Sequence, residues 1–437
     1  MSANPPPNPP STPPPNPPSG SVLAGLEFRA LLGARLTNWI ATSAIATVVG
    51  FQVWDLTHDA LSLGLLGLVE AIPAIGLSLF GGHIADRRDR RSIILVTSAV
   101  ATIAAVLLGL IAFDAAHLGL LAIFVPVFVV GVASGFERPA LTAFEAQVVP
   151  VRQAATGSSW LSSVSLAGSI AGPAIGGISL AVIGIPVTYL ALAGLLAVST
   201  VCVALIKRKP MPQPAAGERL WASLTSGVRY VFHNQFLIGS MALDLFAVFF
   251  GGATALLPIF ADQVLHAGPV GLGILRTAPS VGALVVMLTA TRRPPTTHAG
   301  PILLTCVAGF GVSMLVFAVS TSFLLSFLAL LMSGVTDGVS MIIRSLIGRV
   351  MSPENMRGRI SSVNFIFIGA SNEIGAFESG VAARLLGPVP AVLAGGVVTL
   401  AVVGAVAFLA PELRRLDLRS RLAAQSSGAS DAGSPPG

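Results

Sequence analysis

Twelve long apolar segments constrain the fold of this chain more than any other feature. Crossing the hydrocarbon core of a bilayer takes about 20 mainly apolar residues, and a helix satisfies its own backbone hydrogen bonds there. The predicted spans are residues 31–54, 62–82, 92–113, 118–138, 156–181, 186–206, 236–260, 269–290, 299–319, 322–344, 360–384 and 389–410. The sequence therefore predicts an all-α membrane protein with twelve transmembrane helices in two six-helix halves.

The composition excludes most soluble classes of protein. Only 10% of the 437 residues are charged and 54% are hydrophobic, whereas soluble domains have about 25% charged residues. So few charges could not cover a water-facing surface, which argues against a soluble enzyme, a disordered regulator or a nucleic-acid-binding protein. The two cysteines, Cys202 and Cys306, lie in apolar segments, so neither a disulfide framework nor a metal site is predicted.

Polar stretches divide the chain into five predicted regions. The first twenty residues contain ten of the 31 prolines, a composition that favours an extended, solvated tail. Between the halves, the segment ERLWASLTSGVRYVFHN resembles an amphipathic helix lying at the membrane surface. The regions are a disordered tail (1–25), the first half (26–206), a linker (207–235), the second half (236–411) and a second disordered tail (412–437).

Basic residues predict the orientation in the membrane. With an even number of helices both termini lie on one side, and 23 of the 25 Lys and Arg residues then fall on that side, Arg276 and Arg384 being the exceptions. Cytoplasmic loops carry the excess of basic residues. We therefore expect a multi-pass protein of the cell inner membrane with both termini in the cytoplasm. The net charge of +6 is explained by topology rather than by nucleic-acid binding.

A faint internal repeat relates the two halves. The segment LGLVEAIPAIG at 66–76 aligns with LGILRTAPSVG at 272–282, at an offset of 206 residues. Both helices run in the same direction, so the repeat predicts a pseudo-two-fold axis along the membrane normal, with a substrate site between the halves. The alignment places Glu70 opposite Arg276 and Asn38 opposite Asp244.

The loop after the second helix carries a family resemblance. The segment 82–91 reads GHIADRRDRR and resembles the signature loop of the major facilitator superfamily, G-x-x-x-D-[RK]-x-G-[RK]-[RK], with Asp89 in place of the later glycine. The resemblance implies a cytoplasmic latch that stabilises the outward-facing state, with the start of the eleventh helix near residues 359–362 as acceptor. Its expected members are Gly82, Asp86, Arg87, Arg90 and Arg91, with Glu137 as a partner of Arg90.

The fifth helix carries a second motif. The segment 168–177 reads GSIAGPAIGG and is similar to the G-x-x-x-G-P-x-x-G-G pattern of proton-coupled drug exporters in the superfamily, through Gly168, Gly172, Pro173, Gly176 and Gly177. Small residues allow close helix packing and the proline bends the helix, so this face can rock against the opposite half. Close packing with no exporter role is the alternative. The whole chain most resembles the branch with enterobactin exporters and macrolide efflux proteins.

Charged residues within the spans are the candidates for proton coupling, because a charge at the bilayer centre costs about 2.5–3.5 kcal/mol. They are Glu70, Asp244, Asp337, Glu373, Glu378 and Arg276. Glu70 ranks first and Asp244 second, since a carboxyl group in such a place can bind and release a proton. The structural alternative is that Glu70 or Asp244 merely pairs with Arg276.

The resemblance implies a secondary-active exporter of a small amphipathic compound, such as a drug, macrolide or siderophore. It implies the proton gradient as energy source, no cofactor, and a monomer whose partners are its solute and the lipid bilayer. An importer or a lysophospholipid-type transporter on the same fold is the alternative. A membrane enzyme and a non-transporting receptor are alternatives of another class; the spans have no HExxH or nucleophile elbow, and no phosphate-binding G-K-[ST] occurs.

Overall fold

The computed structural model describes residues 22–210, 228–250, 253–290, 297–353 and 356–419, and these residues form helices joined by short turns. The helices of the first half are α1 (Leu26–Thr57), α2 (Ala60–Ala85), α3 (Arg90–Ala112), α4 (Ala115–Val148) and α5 (Ala154–Leu205). Those of the second half are α6 (Gln235–Phe250), α7 (Ala253–Ile259), α8 (Gly268–Ala290), α9 (Ala299–Val319), α10 (Phe323–Met351), α11 (Arg357–Leu386) and α12 (Pro388–Leu409). A four-residue helix, α13 (Pro411–Arg414), follows.

The predicted all-α membrane fold is confirmed. Within the described ranges, nine helices are long and apolar enough to cross a membrane, and no strand occurs. The remaining predicted spans are also helical. One is the second arm of α5, another runs through α6, α7 and the π-helical turn Phe260–Val264, and the third is α11, whose 30 residues include several polar ones.

Gly184 bends α5 into two membrane-spanning arms. Its φ of 75° and ψ of 170° are non-helical, and this region of backbone conformation is essentially open only to glycine. The first arm, residues 154–183, is about 45 Å long at 1.5 Å per residue. A single glycine therefore provides the turn between the fifth and sixth spans.

The halves meet through equivalent helices. The second helix of the first half, α2, packs against the fifth span of the second half, α11, while α8 packs against the first arm of α5. Each pair joins the second span of one half to the fifth span of the other. This arrangement agrees with the pseudo-two-fold relation expected from the repeat.

The apolar core is shared at one end of the bundle and divided at the other. Where α1 ends and α2 begins, one cluster combines residues of both halves, among them Val53, Trp54, Leu256, Leu272 and Leu330. At the opposite end each half has a separate cluster. The first contains Phe28, Ile94 and Phe144, and the second contains Leu237, Ile347 and Leu413. Among the described residues, the shared apolar cluster thus joins the halves at one end, and the clusters at the other end are separate.

Several segments outside the spans differ from expectation. The tail predicted to be disordered from residue 412 is packed as far as 419, because Leu413, Leu416 and Leu418 are buried in the core of the second half. Likewise, Val22–Ala24 forms a 3₁₀ turn before α1. Residues 1–21, 211–227 and 420–437 lie outside the described residues, so most of both tails and of the linker helix remains a prediction; residues 228–233 are helical.

Candidate functional site

Two polar bonds join the halves where α1 ends and α2 begins. The Trp54 Nε1 donates to Asp262 Oδ2 at 2.9 Å, and Arg384 Nη1 lies 3.4 Å from Asp59 Oδ2. Trp54 is buried. Both bonds cross from the first half to the second. We call this end of the bundle, defined by Trp54, Asp59, Asp262 and Arg384, the closed end.

Two helix pairs approach backbone to backbone at the closed end. A Cβ atom built on Gly177 of α5 would lie 2.5 Å from the Pro269 carbonyl oxygen and 2.9 Å from Gly273 Cα in α8. In the other pair, a Cβ on Gly380 of α11 would lie 2.8 Å from Gly64 Cα in α2. Backbone atoms cannot move aside as a flexible side chain can. Glycine is therefore required for the halves to meet this closely.

The glycine-rich motif of α5 serves two separate contacts. Gly168, Gly172 and Gly176 pack on α1 of the same half, against Trp39, Ile40 and Ala44 in turn. Only Pro173 and Gly177 meet the opposite half; a Cβ on Gly273 would lie 2.6 Å from the Pro173 carbonyl oxygen. One face of the motif thus joins α1 to α5, and the other face forms the contact between halves.

The signature loop lies at the end opposite to the closed end. Asp86 has a side chain that is 70% exposed, and its Oδ1 is 3.7 Å from Arg90 Nη2. Arg90 also donates to the carbonyl oxygens of Ala85 and Ala143, at 3.2 and 3.3 Å. The expected pairing of Arg90 with Glu137 is therefore replaced by contacts with Asp86 and the α4 backbone, while Glu137 lies in the field of Arg35 and Arg138.

Asp89 explains why the loop tolerates the missing glycine. Its carboxylate caps α3 by accepting from the backbone Arg91 N at 3.2 Å, which satisfies one free donor of the helix start, and it also accepts from the side-chain Ser92 Oγ at 2.7 Å. Arg91 Nη2 donates to the Ala204 carbonyl oxygen at 2.6 Å, tying α3 to the end of α5. Arg87 is exposed, and Gly82 has open space around it.

The expected acceptor of the latch is only partly described. Residues 359–362 lie in the first turns of α11, as predicted, but their side chains apart from Ile360 are outside the described part. The latch role of the loop stays a prediction.

Glu70 and Arg276 face each other across the two halves. Arg276 of α8 donates from Nη1 to the Ala46 carbonyl oxygen of α1 at 2.6 Å. The charges of Arg276 and Glu70 interact, and Arg138 of α4 also acts on Glu70. The two residues that the repeat aligns are thus close enough in the fold for their charges to interact across the halves, although these two described side chains form no direct ion pair.

A second charged cluster lies inside the second half. Asp244 of α6 forms an ion pair with Arg344 Nη1, and Arg344 Nη2 is 3.4 Å from Asp337 Oδ1 on α10. The side chains of Asp244 and Arg344 are 9% and 15% exposed, whereas that of Asp337 is 51% exposed. The suggested pairing of Asp244 with Arg276 is therefore wrong, because Arg344 is its partner.

Arg344 is the functional-site residue that the sequence reading missed. The predicted tenth span ends at Arg344, so this residue was expected at the basic cytoplasmic end of the span, but α10 continues to Met351 and the Arg344 side chain is largely buried beside Asp244. The repeat contained the signal, since Arg138 and Arg344 are also 206 positions apart. Each half therefore has an arginine on its fourth span that interacts with carboxylates of its own half.

The two glutamates of α11 stay apart from these clusters in what the structure describes. Glu378 is partly buried near the closed end, two residues before Gly380. The side chain of Glu373 lies outside the described part. Within the described ranges, no three His, Cys, Asp or Glu side chains are grouped in a way that could hold a metal ion.

We expect Trp54→Phe to weaken the closed end. It removes the donor to Asp262, worth about 1 kcal/mol for an exposed acceptor, or about a fivefold change in the equilibrium between closed and open. Spin labels at the exposed positions Ala116 and Thr321, one on each half at this end, would report the change as a larger long-distance population. The labelled protein needs serine in place of both natural cysteines.

Trp160→Phe is the matched control, because Trp160 lies on α5 and is 42% exposed. Equal distance distributions for the two variants would contradict a role of Trp54 in closure.

A family model and named relatives show what this chain is similar to. The model of the Major Facilitator Superfamily matches residues 31–376. Proteins named enterobactin exporter EntS, from Escherichia coli O1:K1 / APEC, Shigella flexneri and Citrobacter koseri, are 27% identical over 395 residues, covering 89% of this chain and 92% of theirs.

Solved structures share the fold at low identity. A bacterial homologue of the human lysosomal transporter Spinster, crystallised in an inward-facing and unoccupied conformation, has a TM-score of 0.68 at 15% identity, covering 91% of this chain and 97% of its own. A point mutant of the nucleoside transporter NupG has a TM-score of 0.70 at 13% identity, covering 88% of this chain and 100% of its own.

Proposed function

Because this chain belongs to the Major Facilitator Superfamily, it is a membrane transporter and not an enzyme, and we propose that it is a proton-coupled exporter of small amphipathic compounds. The observation that carries the proposal is the pair of halves joined at the closed end and divided into separate cores at the other. Such halves can rock about an interface and expose a central site to each side in turn. The 27% identity to proteins named enterobactin exporters supports export and a siderophore or drug-like solute.

Sidedness follows from the basic residues. The end with Arg87, Arg88 and the described termini carries the excess of Lys and Arg, so we assign it to the cytoplasm. The closed end then faces outward, and the molecule is in an inward-facing state in the cell inner membrane. In this assignment the exposed Asp86 belongs to a latch that is released. The latch is proposed to form when the cytoplasmic side of the transporter closes.

Glu70 is the proposed proton carrier. When its carboxylate is ionised, the attraction of Arg276 adds to the bonds that hold the closed end. An empty, deprotonated transporter is thus held inward-facing until solute binds between the halves. After outward opening, a proton from outside neutralises Glu70 as the solute is released. When the halves return and this proton leaves on the cytoplasmic side, the attraction of Arg276 is restored and holds the inward-facing state again.

We also propose a division of the chain into two halves and a linker. The halves are residues 26–206 and 236–411, joined by the linker at 207–235, and one copy of the chain contains the whole pathway, so a monomer is sufficient. The start of the linker is held on the first half, where Lys209 Nζ lies 2.5 Å from Glu27 Oε2.

Efflux from intact cells tests the proposed function. Cells that express the protein are loaded in turn with a cationic dye, a macrolide and a catecholate siderophore, and retention is compared with that of cells carrying the empty vector. We expect faster loss of at least one solute class, and we expect a protonophore to abolish the difference.

Other outcomes of the efflux experiment would each favour a different function. Faster uptake instead of loss would favour the importer. Movement of lysophospholipid between leaflets, with no efflux of any solute from well-expressed protein, would favour the lipid transporter. Efflux that survives the protonophore would contradict proton coupling.

A further inference from the structure

The acidic cluster of the second half carries more negative than positive charge. Arg344 uses one terminal nitrogen on Asp244 and the other on Asp337. In the described residues that line the adjoining cavity, no second basic side chain is present. Two carboxylates therefore share one guanidinium group. Asp337, the more exposed carboxylate, keeps acceptor capacity that faces the open space.

Ser340 adds an unpartnered hydroxyl to the same cavity. It is 2% exposed, yet its Oγ has no hydrogen-bond partner. Other hydroxyls of α10 behave differently: Ser333 Oγ donates to the Leu330 carbonyl oxygen at 2.6 Å, and Thr336 Oγ1 to that of Met332 at 2.9 Å. A buried hydroxyl without a partner costs about 1–3 kcal/mol. Because Ser340 lies on the cavity wall, a group bound in the cavity could supply the missing hydrogen-bond partner.

The size and walls of the cavity restrict what that group can be. The space accepts a group of about the size of one water molecule. Its apolar walls are Ala247, Val307 and Phe310. A head group of this size fits, and the body of the solute would extend past the Asp337 side chain, which is 51% exposed.

The chemistry of the lining selects a donor that carries positive charge. The Ser340 Oγ has no partner, and the Asp337 carboxylate, whose Oδ1 accepts from Arg344 Nη2 at 3.4 Å, has further acceptor capacity. A primary ammonium group has three donors and one positive charge, and it would balance the second carboxylate. A neutral hydroxyl would supply a donor but leave the charge uncompensated.

We propose that Asp337 and Ser340, held beside the Asp244–Arg344 pair, form a subsite for the primary ammonium group of an amphipathic solute. The inference rests on the proposed function for its physiological meaning, but binding itself is tested without transport. Asp244 is a positioning residue, since its ion pair fixes Arg344 and leaves Asp337 to the ligand.

Cys306 provides a built-in probe, because it lines the same cavity. In purified Cys202→Ser protein, Cys306 is the single cysteine. The rate of its alkylation by N-ethylmaleimide is measured in the presence of 2-naphthylmethylamine and, separately, of 2-naphthylmethanol. These two solutes share an apolar body and differ in the amine or hydroxyl group. At ten times its Kd, the amine should slow alkylation about tenfold, and the alcohol should have little effect. Asp337→Asn should weaken protection by the amine about tenfold, whereas Asp55→Asn, at an exposed site near the closed end, should leave it unchanged.

The outcomes separate the subsite from the transport proposal. Equal protection by amine and alcohol, protection by sodium chloride alone, or undiminished protection in Asp337→Asn would each overturn the subsite. A thermal unfolding curve of Asp337→Asn, and partial recovery of protection in Asp337→Glu, exclude loss of folding as the cause. Amine-selective protection without any efflux would leave the subsite in place and contradict the proposed function.

Discussion

Glu70→Gln protein is expected to lose proton-driven efflux while still exchanging internal for external solute. Glutamine keeps the shape and the hydrogen-bonding capacity of the side chain but cannot carry a proton or attract Arg276 by charge. At a membrane potential of about 100 mV, one proton per cycle contributes about 2.3 kcal/mol, which sustains a concentration ratio of about fortyfold. Reconstituted vesicles with an imposed pH gradient and potential would measure this loss, and solute exchange without a gradient would measure what remains.

Asp55→Asn is the matched control for Glu70→Gln. Asp55 is an exposed carboxylate near the end of α1, next to Trp54 at the closed end. Its neutralisation should leave both efflux and exchange unchanged. Undiminished proton-dependent efflux in well-expressed Glu70→Gln protein would transfer the proton role to another carboxylate, with Asp244 and Asp337 next in order.

Gly177→Val is expected to prevent the closed end from forming. The new Cβ would meet the Pro269 carbonyl oxygen and the Gly273 Cα, both of them backbone atoms, so α5 and α8 must separate. Overpacking of this kind costs about 1–3 kcal/mol, a shift of about 5- to 150-fold toward the open form. Spin labels at Ala116 and Thr321 should show mainly the longer distance, and efflux should fall by a similar factor because each cycle needs both states.

Gly194→Val separates this effect from the cost of valine in a helix. Gly194 lies on the second arm of α5 with open space around its Cα, so the same substitution meets nothing. It should behave as the unsubstituted protein in both measurements. If Gly177→Val retains the short distance, the contact of Gly177 with α8 is not what limits closure.

The length and composition of the apolar segments predicted the spans because both depend on local sequence. An apolar stretch of the right length must be helical in a bilayer, whatever its neighbours are. The repeat likewise anticipated that Glu70 and Arg276 occupy equivalent places, and they do interact. The signature loop was located from its residues, although its latch role stays a prediction.

Partners of charged side chains could not be predicted in the same way. Arg344 was predicted at the cytoplasmic end of the tenth span because the apolar run ends there, but α10 continues in helical form to Met351, and Arg344 binds Asp244 and Asp337. Arg90 binds Asp86 and a carbonyl of α4 instead of Glu137. These contacts depend on the rotation of each helix about its axis, which a nearly uniform apolar helix does not reveal.

Sequence alone thus determined the all-α membrane fold and the position of its apolar segments, since hydrophobic length is a property of single segments. Tertiary structure alone decided which end is closed, that Gly177 and Pro173 meet the other half while Gly168, Gly172 and Gly176 stay within their own, and that Ser340 faces a cavity. The reason is that these features arise where helices far apart in sequence come together. Which side chains meet at such places depends on how the helices pack against one another, and the sequence of a single helix does not contain that information.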